Sequence, residues 1–258
     1  MQAGIITGGG RGVGRAIALR LAQDGPVVLV GRSEADLADT VAAIAAQGGN
    51  AIACAGDVAD PATAQRALAA IAAHGWTLHH LVCNAGIGRS GATDAVDPAQ
   101  WLRVFDVNVH GCFHFARAAL PALAREPGHA LTIVASLAGV RGVAYDAAYT
   151  SSKHALVGFA RALAAEYRKR GLVVAALCPS FIASEMTTRT IRGVMKRQGL
   201  DEAAATARVA SKSPAGRILP AEEIAETVAL VGASRIDDAR ALAARGGYPI
   251  VGTGDENE

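Results

Sequence analysis

Short apolar runs alternate along the chain with longer segments in which apolar residues recur at helical spacing. Six runs have the length and composition of strands and are predicted at Ala3–Thr7, Val27–Gly31, Ala51–Ala55, His80–Asn84, Ala130–Ala135 and Leu172–Cys178. The runs around Val28 and Ile133 are continuously apolar, which is typical of parallel strands buried on both faces. The alternation predicts βαβ units and an α/β fold built on a parallel sheet.

Helices are predicted between these strands, and one more follows them. Their predicted bounds are Val13–Asp24, Ala35–Gln47, Ala62–His74, Pro98–Ala124, Ala147–Arg170 and Ala221 to about Val231. Residues 183–214 interrupt the alternation, because they are polar, mixed in charge and helical in character without a strand. A segment in this position predicts a lid over the substrate. A surface excursion without a catalytic role has the same pattern.

Length and composition narrow the class of protein. The 258 residues contain no linker-like stretch, so a single domain over residues 1–258 is predicted. The net charge of +2 gives no support to nucleic-acid binding, and no apolar stretch approaches the ~20 residues that span a bilayer. We expect no signal peptide and no metal site, and four widely spaced cysteines favour a reducing cytoplasm. Residues 255–258 are predicted to form a frayed acidic tail.

A glycine-rich loop joins the first predicted strand to the first helix. It has the sequence Thr7-Gly8-Gly9-Gly10-Arg11-Gly12-Val13-Gly14, which fits TGxxxGxG and not GxGxxG. Glycines at such a turn let the backbone approach a pyrophosphate, and the helix N-terminus favours its negative charge. The loop alone leaves open a tight corner that binds nothing.

Four polar residues form the second pattern. Tyr149 and Lys153 are four residues apart in a predicted helix and therefore share one face. Ser136 directly follows the fifth predicted strand, and Asn108 lies in the long helix before it. A Tyr-x-x-x-Lys pair alone is as readily a surface pair, but its occurrence with Ser136 and Asn108 in this order favours a catalytic set.

The glycine loop and these four residues resemble the short-chain dehydrogenase/reductase family, and the resemblance covers nearly the whole chain. It implies one Rossmann-type domain with a doubly wound parallel sheet in three αβα layers. It also implies that Tyr149 donates a proton to the carbonyl oxygen, Ser136 positions that oxygen, Lys153 binds the nicotinamide ribose, and Asn108 holds a water. Lowering the tyrosine pKa by two units takes ~2.7 kcal/mol, and an ammonium about 4 Å away supplies ~4 kcal/mol. We therefore expect Lys153 to lower the pKa of Tyr149.

The resemblance implies a cofactor-binding set as well. It comprises Gly8, Arg11, Gly12, Val13, Gly14, Arg32, Ser33, Asp57, Val58, Asn84, Ala85, Gly86, Tyr149, Lys153, Pro179, Ile182 and Ser184. Gly31 stands where a carboxylate would bind the ribose of NAD, and Arg32 and Arg11 can bind a 2′-phosphate. NADPH/NADP+ is therefore the predicted cofactor. Arg32 pointing to solvent and Asp57 serving only a turn remain alternatives.

The predicted function is NADPH-dependent reduction of a keto group, with a 3-oxoacyl or polyketide-like substrate. Leu137, Val140, Val143 and Tyr145 are expected to line its pocket. Alternatives are a secondary-alcohol dehydrogenase and, from another class, a dinucleotide-binding sensor without turnover. The sequence does not identify the substrate, the direction of reaction or the stereochemistry. A homotetramer is an expectation from the resemblance, which weakens beyond Val231.

Overall fold

One seven-stranded sheet runs through the computed structural model, which describes residues 1–253. The strands are β1 Gln2–Thr7, β2 Val27–Gly31, β3 Ala51–Ala55, β4 Thr77–Cys83, β5 Ala130–Val134, β6 Val173–Leu177 and β7 Ile250–Val251. They lie in the order β3-β2-β1-β4-β5-β6-β7, and all neighbouring pairs are parallel except β6 and β7. This doubly wound sheet confirms the predicted fold class. The predicted acidic tail, residues 255–258, lies outside the described residues.

Helices cover both faces of the sheet. Their bounds are α1 Gly12–Leu21, α2 Glu34–Ala46, α3 Pro61–Ala73, α4 Pro98–Phe105, α5 Gly111–Leu123, α6 Ala147–Tyr167, α7 Glu185–Gln198, α8 Glu202–Ala210, α9 Ala221–Gly232 and α10 Ile236–Arg245. Buried residues of α3, α5 and α6, such as Phe115 and Leu156, pack against one face. Those of α1, α2, α9 and α10, such as Ile17 and Ile224, pack against the other. The predicted three αβα layers are therefore confirmed.

The helix predicted over Pro98–Ala124 is helical from Pro98 to Leu123, but it contains a π-helical turn that was not predicted. The structure ends α4 at Phe105, continues through a π-helical turn at Asp106–His110, and begins α5 at Gly111. The apolar spacing does not reveal this turn, because the side chain of Asn108 inside it bonds to the backbone of Ile87 from a distant loop. The interruption brings Asn108 toward the carboxyl edge of the sheet.

The C-terminal part contains two elements that the sequence pattern did not predict. Helix α10 follows α9 after a short turn and buries Ala239 and Ala243 in the same core. Strand β7 is only two residues long and pairs antiparallel with β6. Both are defined by packing against neighbouring elements more than by a periodic pattern of their own.

The segment predicted as a lid, residues 183–214, contains α7 and α8 and no strand, as expected. The two helices pack on each other through a small cluster that includes Val194, Ala205 and Val209. The segment is anchored at its start by a bridge between Ile182 and Leu219. Its role as a lid stays a prediction. Within residues 1–253, no helix combines the length and apolarity required to cross a membrane.

Candidate active site

The four predicted catalytic residues meet at the carboxyl ends of the central strands. Tyr149 and Lys153 lie one turn apart in α6, with the Lys153 Nζ 5.5 Å from the centre of the tyrosine ring. Ser136 follows β5 and hydrogen-bonds to Tyr149. Asn108 donates from Nδ2 to the Oγ of Ser152, the residue next to Lys153. The spacing in sequence therefore corresponds to one cluster in space.

Lys153 is held below the surface of this cluster. Its side chain is 3% exposed, and Nζ donates a 2.9 Å hydrogen bond to the carbonyl of Val134 at the end of β5. Burial lowers the pKa of Lys153 to about 8, and the nearby thiols of Cys112 and Cys178 oppose this change. An ammonium with a pKa of about 8 exchanges its proton far more readily near neutrality than an exposed lysine does.

The expected lowering of the Tyr149 pKa is wrong for this geometry. Burial raises the pKa of Tyr149 to about 12, the hydrogen bond to Ser136 lowers it, and the negative charge of Asp146 raises it further. The distance-based argument failed because it ignored the desolvation of the phenolate. The ammonium of Lys153 is also directed at the Val134 carbonyl rather than at the phenol oxygen.

Asn108 is 1% exposed, and its side chain is fully engaged within the protein. Its Oδ1 accepts from the Ile87 N–H at 2.8 Å, while Nδ2 donates to the Ile87 carbonyl and to Ser152, each at 2.9 Å. These bonds fasten the loop after β4 to α6. The water that Asn108 is predicted to hold stays a prediction.

The glycine loop has the geometry that an anion cradle requires. Gly8 and Gly12 have φ values of +69° and +52°, which other residues adopt only with strain. A Cβ on Gly14 would lie 1.9 Å from the Gly8 carbonyl oxygen, so this close approach needs glycine. Arg11 precedes α1 without capping it, which leaves the first N–H groups of α1 available to a pyrophosphate.

The two predicted cationic residues differ in their surroundings. Arg32 is exposed after β2 and forms no ion pair in the part of the chain that the structure describes, and its charge contributes to lowering the pKa of Asp57. Arg11 instead forms a 3.1 Å ion pair with Glu185, the first residue of α7. The pattern of the sequence gave no sign of this contact, because it joins residues distant along the chain.

Other predicted cofactor residues carry structural bonds. Ser33 caps α2 by accepting from the Asp36 N–H at 3.2 Å. Asp57 accepts from the Ala59 N–H at 3.0 Å and pairs with Arg103, a partner that the sequence analysis missed. Although burial favours the neutral acid, these bonds and charges lower the pKa of Asp57. The hydrogen bond from Ala59 therefore supports the alternative that Asp57 stabilises a turn.

The Asn84-Ala85-Gly86 segment is joined to β1 through Thr7. The Thr7 Oγ1 accepts from the N–H groups of Asn84 and Ala85, each at 3.0 Å, and the Asn84 Nδ2 donates to the Thr7 carbonyl. A Cβ on Gly86 would lie 3.5 Å from the Lys153 Nζ. These contacts place the segment between the glycine loop and the catalytic cluster.

The remaining predicted residues surround the cluster from other sides. Val58 packs against the start of α5, where a Cβ on Gly111 would lie 2.7 Å from its side chain. The Pro179 carbonyl accepts from the Leu137 N–H at 2.8 Å, next to Ser136. The Ile182 carbonyl accepts a 3.1 Å bond from the hydroxyl of Ser184, which caps α7. Val13 lies partly buried in α1.

A residue at the edge of the cluster stands in an unusual conformation. Tyr145, four residues before Tyr149, has a φ of +63° and is 70% exposed. A left-handed conformation costs a residue with a side chain about 1–2 kcal/mol. Within residues 1–253, Ser234 is the only other non-glycine residue with a positive φ, and it lies far from the cluster at the end of α9. The sequence analysis expected Tyr145 in the pocket wall but gave no sign of its backbone geometry.

An open αβα sheet with a glycine cradle, and with a partly buried tyrosine next to a buried lysine at its carboxyl edge, is the arrangement of a nucleotide-dependent oxidoreductase. Residues 2–194 match the family model described as short chain dehydrogenase, and the protein belongs to that family. It is 34% identical over 245 residues to ketoacyl reductase 1 of the granaticin polyketide synthase from Streptomyces violaceoruber, covering 93% of this chain and 89% of that protein.

Solved structures show the same likeness. A variant of the actinorhodin polyketide ketoreductase with NADPH has a TM-score of 0.85 and 29% identity, covering 94% of this chain and 92% of that one. Levodione reductase has a TM-score of 0.82 and 28% identity, covering 94% and 93%. The protein is therefore an enzyme of the oxidoreductase class. No group of three or more His, Cys, Asp or Glu that could hold a metal occurs among the described residues.

Proposed function

We propose that this protein reduces a keto group to a secondary alcohol with NADPH, and that Tyr149 is the proton donor. When bound, NADPH supplies the hydride that adds to the carbonyl carbon. The observation that carries the proposal is the cluster of Ser136, Tyr149 and Lys153 at the carboxyl edge of the sheet, with the Lys153 Nζ 5.5 Å from the tyrosine ring. Burial raises the pKa of Tyr149 to about 12, so its phenol is protonated at neutral pH. As the carbonyl oxygen gains negative charge it becomes a stronger base than a phenolate, so Tyr149 can protonate it.

The neighbouring residues complete the transfer of the proton. Ser136 hydrogen-bonds the same oxygen and positions it next to Tyr149. Lys153 has a pKa of about 8, so it can return a proton to the tyrosinate and exchange it with water near neutrality. Asn108 positions the loop after β4 through its bonds to Ile87.

The choice of NADPH rests on the end of β2. Gly31 carries no carboxylate to repel a 2′-phosphate, and Arg32 is exposed with no ion pair within residues 1–253. A charge-assisted bond from Arg32 to the phosphate contributes about 1.5–3 kcal/mol. The cradle of Gly8, Gly12 and Gly14 accommodates the pyrophosphate, and Arg11 can add a second bond after leaving Glu185.

The substrate class is proposed from the relatives. A ketoacyl reductase of a polyketide synthase and a polyketide ketoreductase both match this chain over at least 93% of its length. We therefore propose a 3-oxoacyl or polyketide-like ketone, with α7 and α8 as its lid. The homotetramer and the cytoplasmic location stay predictions.

The deciding experiment follows NADPH and NADH oxidation with a panel of ketones. The Tyr149→Phe variant should lose at least a hundredfold in kcat, because it removes the proton donor and leaves the ring. Tyr167→Phe is the matched control, since Tyr167 lies at the other end of α6 and should leave kcat unchanged. Equal activity of Tyr149→Phe and parent would refute the proton donor, and a preference for NADH would refute the choice of cofactor.

A further inference from the structure

Tyr145 combines a backbone conformation that is unusual for a residue with a side chain and a ring that no other ring covers. Its φ of +63° places the residue in the left-handed region, where glycine is favoured, and its ring is 70% exposed. The ring takes part in no ring contact with another described residue. A strained backbone that presents an uncovered aromatic ring beside a catalytic residue is typical of a functional contact.

Two bonds from one loop hold Tyr145 in place. The Gly91 N–H donates to the Tyr145 carbonyl at 2.7 Å, and the Ser90 hydroxyl donates to the Asp146 carboxylate at 3.2 Å. The same loop covers the catalytic tyrosine, because a Cβ on Gly88 would lie 3.0 Å from the Tyr149 ring. The strained residue is therefore fixed relative to the proton donor.

Asp146, the next residue, also departs from the usual role of its position. It occupies the position before α6, where an aspartate ordinarily caps the helix, yet its side chain makes no capping bond. Its carboxylate lies close enough to Tyr149 to raise the pKa of that phenol. The Ser90 hydroxyl is its hydrogen-bond partner, and among the described residues no cation forms an ion pair with Asp146.

The loop of residues 140–146 contributes the other groups beside Tyr145. Val140 and Val143 are each 39% exposed. Arg141 between them is also exposed, and its guanidinium is directed away toward the lid segment, where it donates to the carbonyl of Lys212 at 3.5 Å, just beyond α8. The loop thus lies between the lid segment and the catalytic cluster, and beside Arg141 it presents two aliphatic side chains, one aromatic ring and one carboxylate.

We propose that Tyr145 and Asp146 are specificity-determining residues that select an uncharged, ring-containing ketone, Tyr145 by stacking on the ring and Asp146 by repelling anions. This inference rests on the proposed reduction and narrows its substrate class. A flat ring matches the exposed face of a tyrosine that is held rigidly, since little conformational freedom is lost on contact. An open chain gains less from the same surface. A substrate that carries a carboxylate is repelled by the negative charge of Asp146, which forms no ion pair among the described residues.

The test compares ketones that differ in one property. We would measure kcat and KM for 2-tetralone and 2-decanone, which have the same number of carbon atoms, in the parent, Tyr145→Gly and Tyr145→Phe. Glycine adopts the observed φ without strain, so this variant keeps the backbone geometry. We expect KM for 2-tetralone to rise about fivefold in Tyr145→Gly with kcat unchanged, and Tyr145→Phe to retain the parent value. The KM for 2-decanone should change less than twofold.

The second arm tests the charge. Asp146→Asn should lower KM for 5-oxohexanoate about fivefold and leave KM for its methyl ester unchanged. Equal changes for ring and chain in Tyr145→Gly, or for acid and ester in Asp146→Asn, would overturn the inference while the reductase activity stands. Ligand-observed NMR gives the Kd of 2-tetralone without turnover. If no ketone is reduced but the Kd of 2-tetralone still rises in Tyr145→Gly, the proposed reduction is refuted and the recognition of the ring by Tyr145 stands. If no ketone is reduced and the Kd does not rise, both proposals are refuted.

Discussion

The two edges of the sheet both collect titratable side chains but use them differently. At the amino edge, His79 and His80 hold the end of α9. The His79 Nε2 lies 2.9 Å from the Gly232 carbonyl oxygen, and a Cβ on Gly232 would lie 2.5 Å from the His80 ring. The His80 Nε2 lies 2.8 Å from the Thr132 hydroxyl on the next strand. These side chains join secondary-structure elements.

A cavity of about 340 Å³ also lies at the amino edge. Arg20 in the wall of this cavity forms ion pairs with Asp24 and Glu226, each at 2.6 Å, so the charge of Arg20 is paired within the fold. At the carboxyl edge, burial displaces the pKa values of Tyr149 and Lys153 without an opposite charge to pair with either. The contrast teaches that a cavity lined by charges does not identify the reactive edge, whereas displaced titratable groups next to a glycine cradle do.

The largest expected effect separates activity from stability at the carboxyl edge. Lys153→Met should lower kcat by about 10²–10⁴-fold, because the tyrosine loses its proton partner and the ribose its ligand. Its Tm should stay within a few degrees of that of the parent, because removing a buried ammonium offsets the loss of its hydrogen bond to the buried Val134 carbonyl. Steady-state kinetics and thermal unfolding measure both quantities. Lys169→Met, at an exposed site past α6, is the control, and a Tm several degrees lower in Lys153→Met would contradict the comparison.

A smaller effect is expected for cofactor choice. Arg32→Ser should lower the preference for NADPH over NADH by at least tenfold, because it removes a charge-assisted bond worth about 1.5–3 kcal/mol. The ratio of kcat/KM for the two cofactors measures this. Arg125→Ser removes an exposed arginine near the amino edge and should leave the ratio unchanged. Equal losses with both cofactors would show that Arg32 does not recognise the 2′-phosphate.

The sequence predicted features that depend on the local pattern. Continuous apolar runs located six strands, and the glycine loop and the order of Asn108, Ser136, Tyr149 and Lys153 located the candidate site. The two hydrogen bonds between Asn108 and Ile87 were not predictable, because the two residues are distant along the chain. The π-helical turn that contains Asn108 was missed for the same reason. The Tyr149 pKa was predicted with the wrong sign, since spacing along a helix gives a distance but not the degree of burial.

The amino edge was even less accessible to prediction. His80 and Thr132 are adjacent only because β4 and β5 pair with His80 opposite Ala130. His80→Leu should destabilise the protein by about 1–3 kcal/mol, because the Thr132 hydroxyl is left buried without its partner. Denaturant unfolding measures this. Adding Thr132→Val should recover much of the loss, since both polar groups are then removed, and kcat should match that of the parent. A loss of kcat in the folded variant would show that the amino edge also affects catalysis, which would contradict the comparison.

The same histidine gives the amino edge a dependence on pH. Burial lowers the pKa of His80 to about 3, while the unfolded chain binds the proton near 6.5. Its contribution is therefore complete above pH 6.5 and is lost as the pH falls toward 3, by at most ~1.4 kcal/mol per pH unit. The stability of the parent should fall more steeply than that of His80→Leu between pH 6 and 4.5. Unfolding curves at several pH values measure the difference, and parallel slopes would contradict it.

The smallest expected effect concerns the contact between the glycine loop and the lid. The carboxylate of Glu185 forms an ion pair with Arg11. Both side chains are largely exposed, Arg11 at 62% and Glu185 at 66%. If Arg11 also binds the 2′-phosphate, Glu185 competes with the cofactor for it. Glu185→Gln should then tighten NADPH binding about two- to fivefold, as expected from an exposed ion pair of ~0.2–1 kcal/mol, and leave NADH binding unchanged.

Fluorescence titration at low and high salt measures this effect, and the gain should fade at high salt because exposed charges are screened. Glu202→Gln is the matched control, because Glu202 is the exposed first residue of α8 in the same segment and forms no ion pair within residues 1–253. An equal gain for NADH would mean that Glu185 acts on a part of the cofactor common to both. No gain at low salt would mean that Arg32 alone recognises the phosphate, which would confine recognition to the end of β2 and leave Arg11 as a contact between loop and lid.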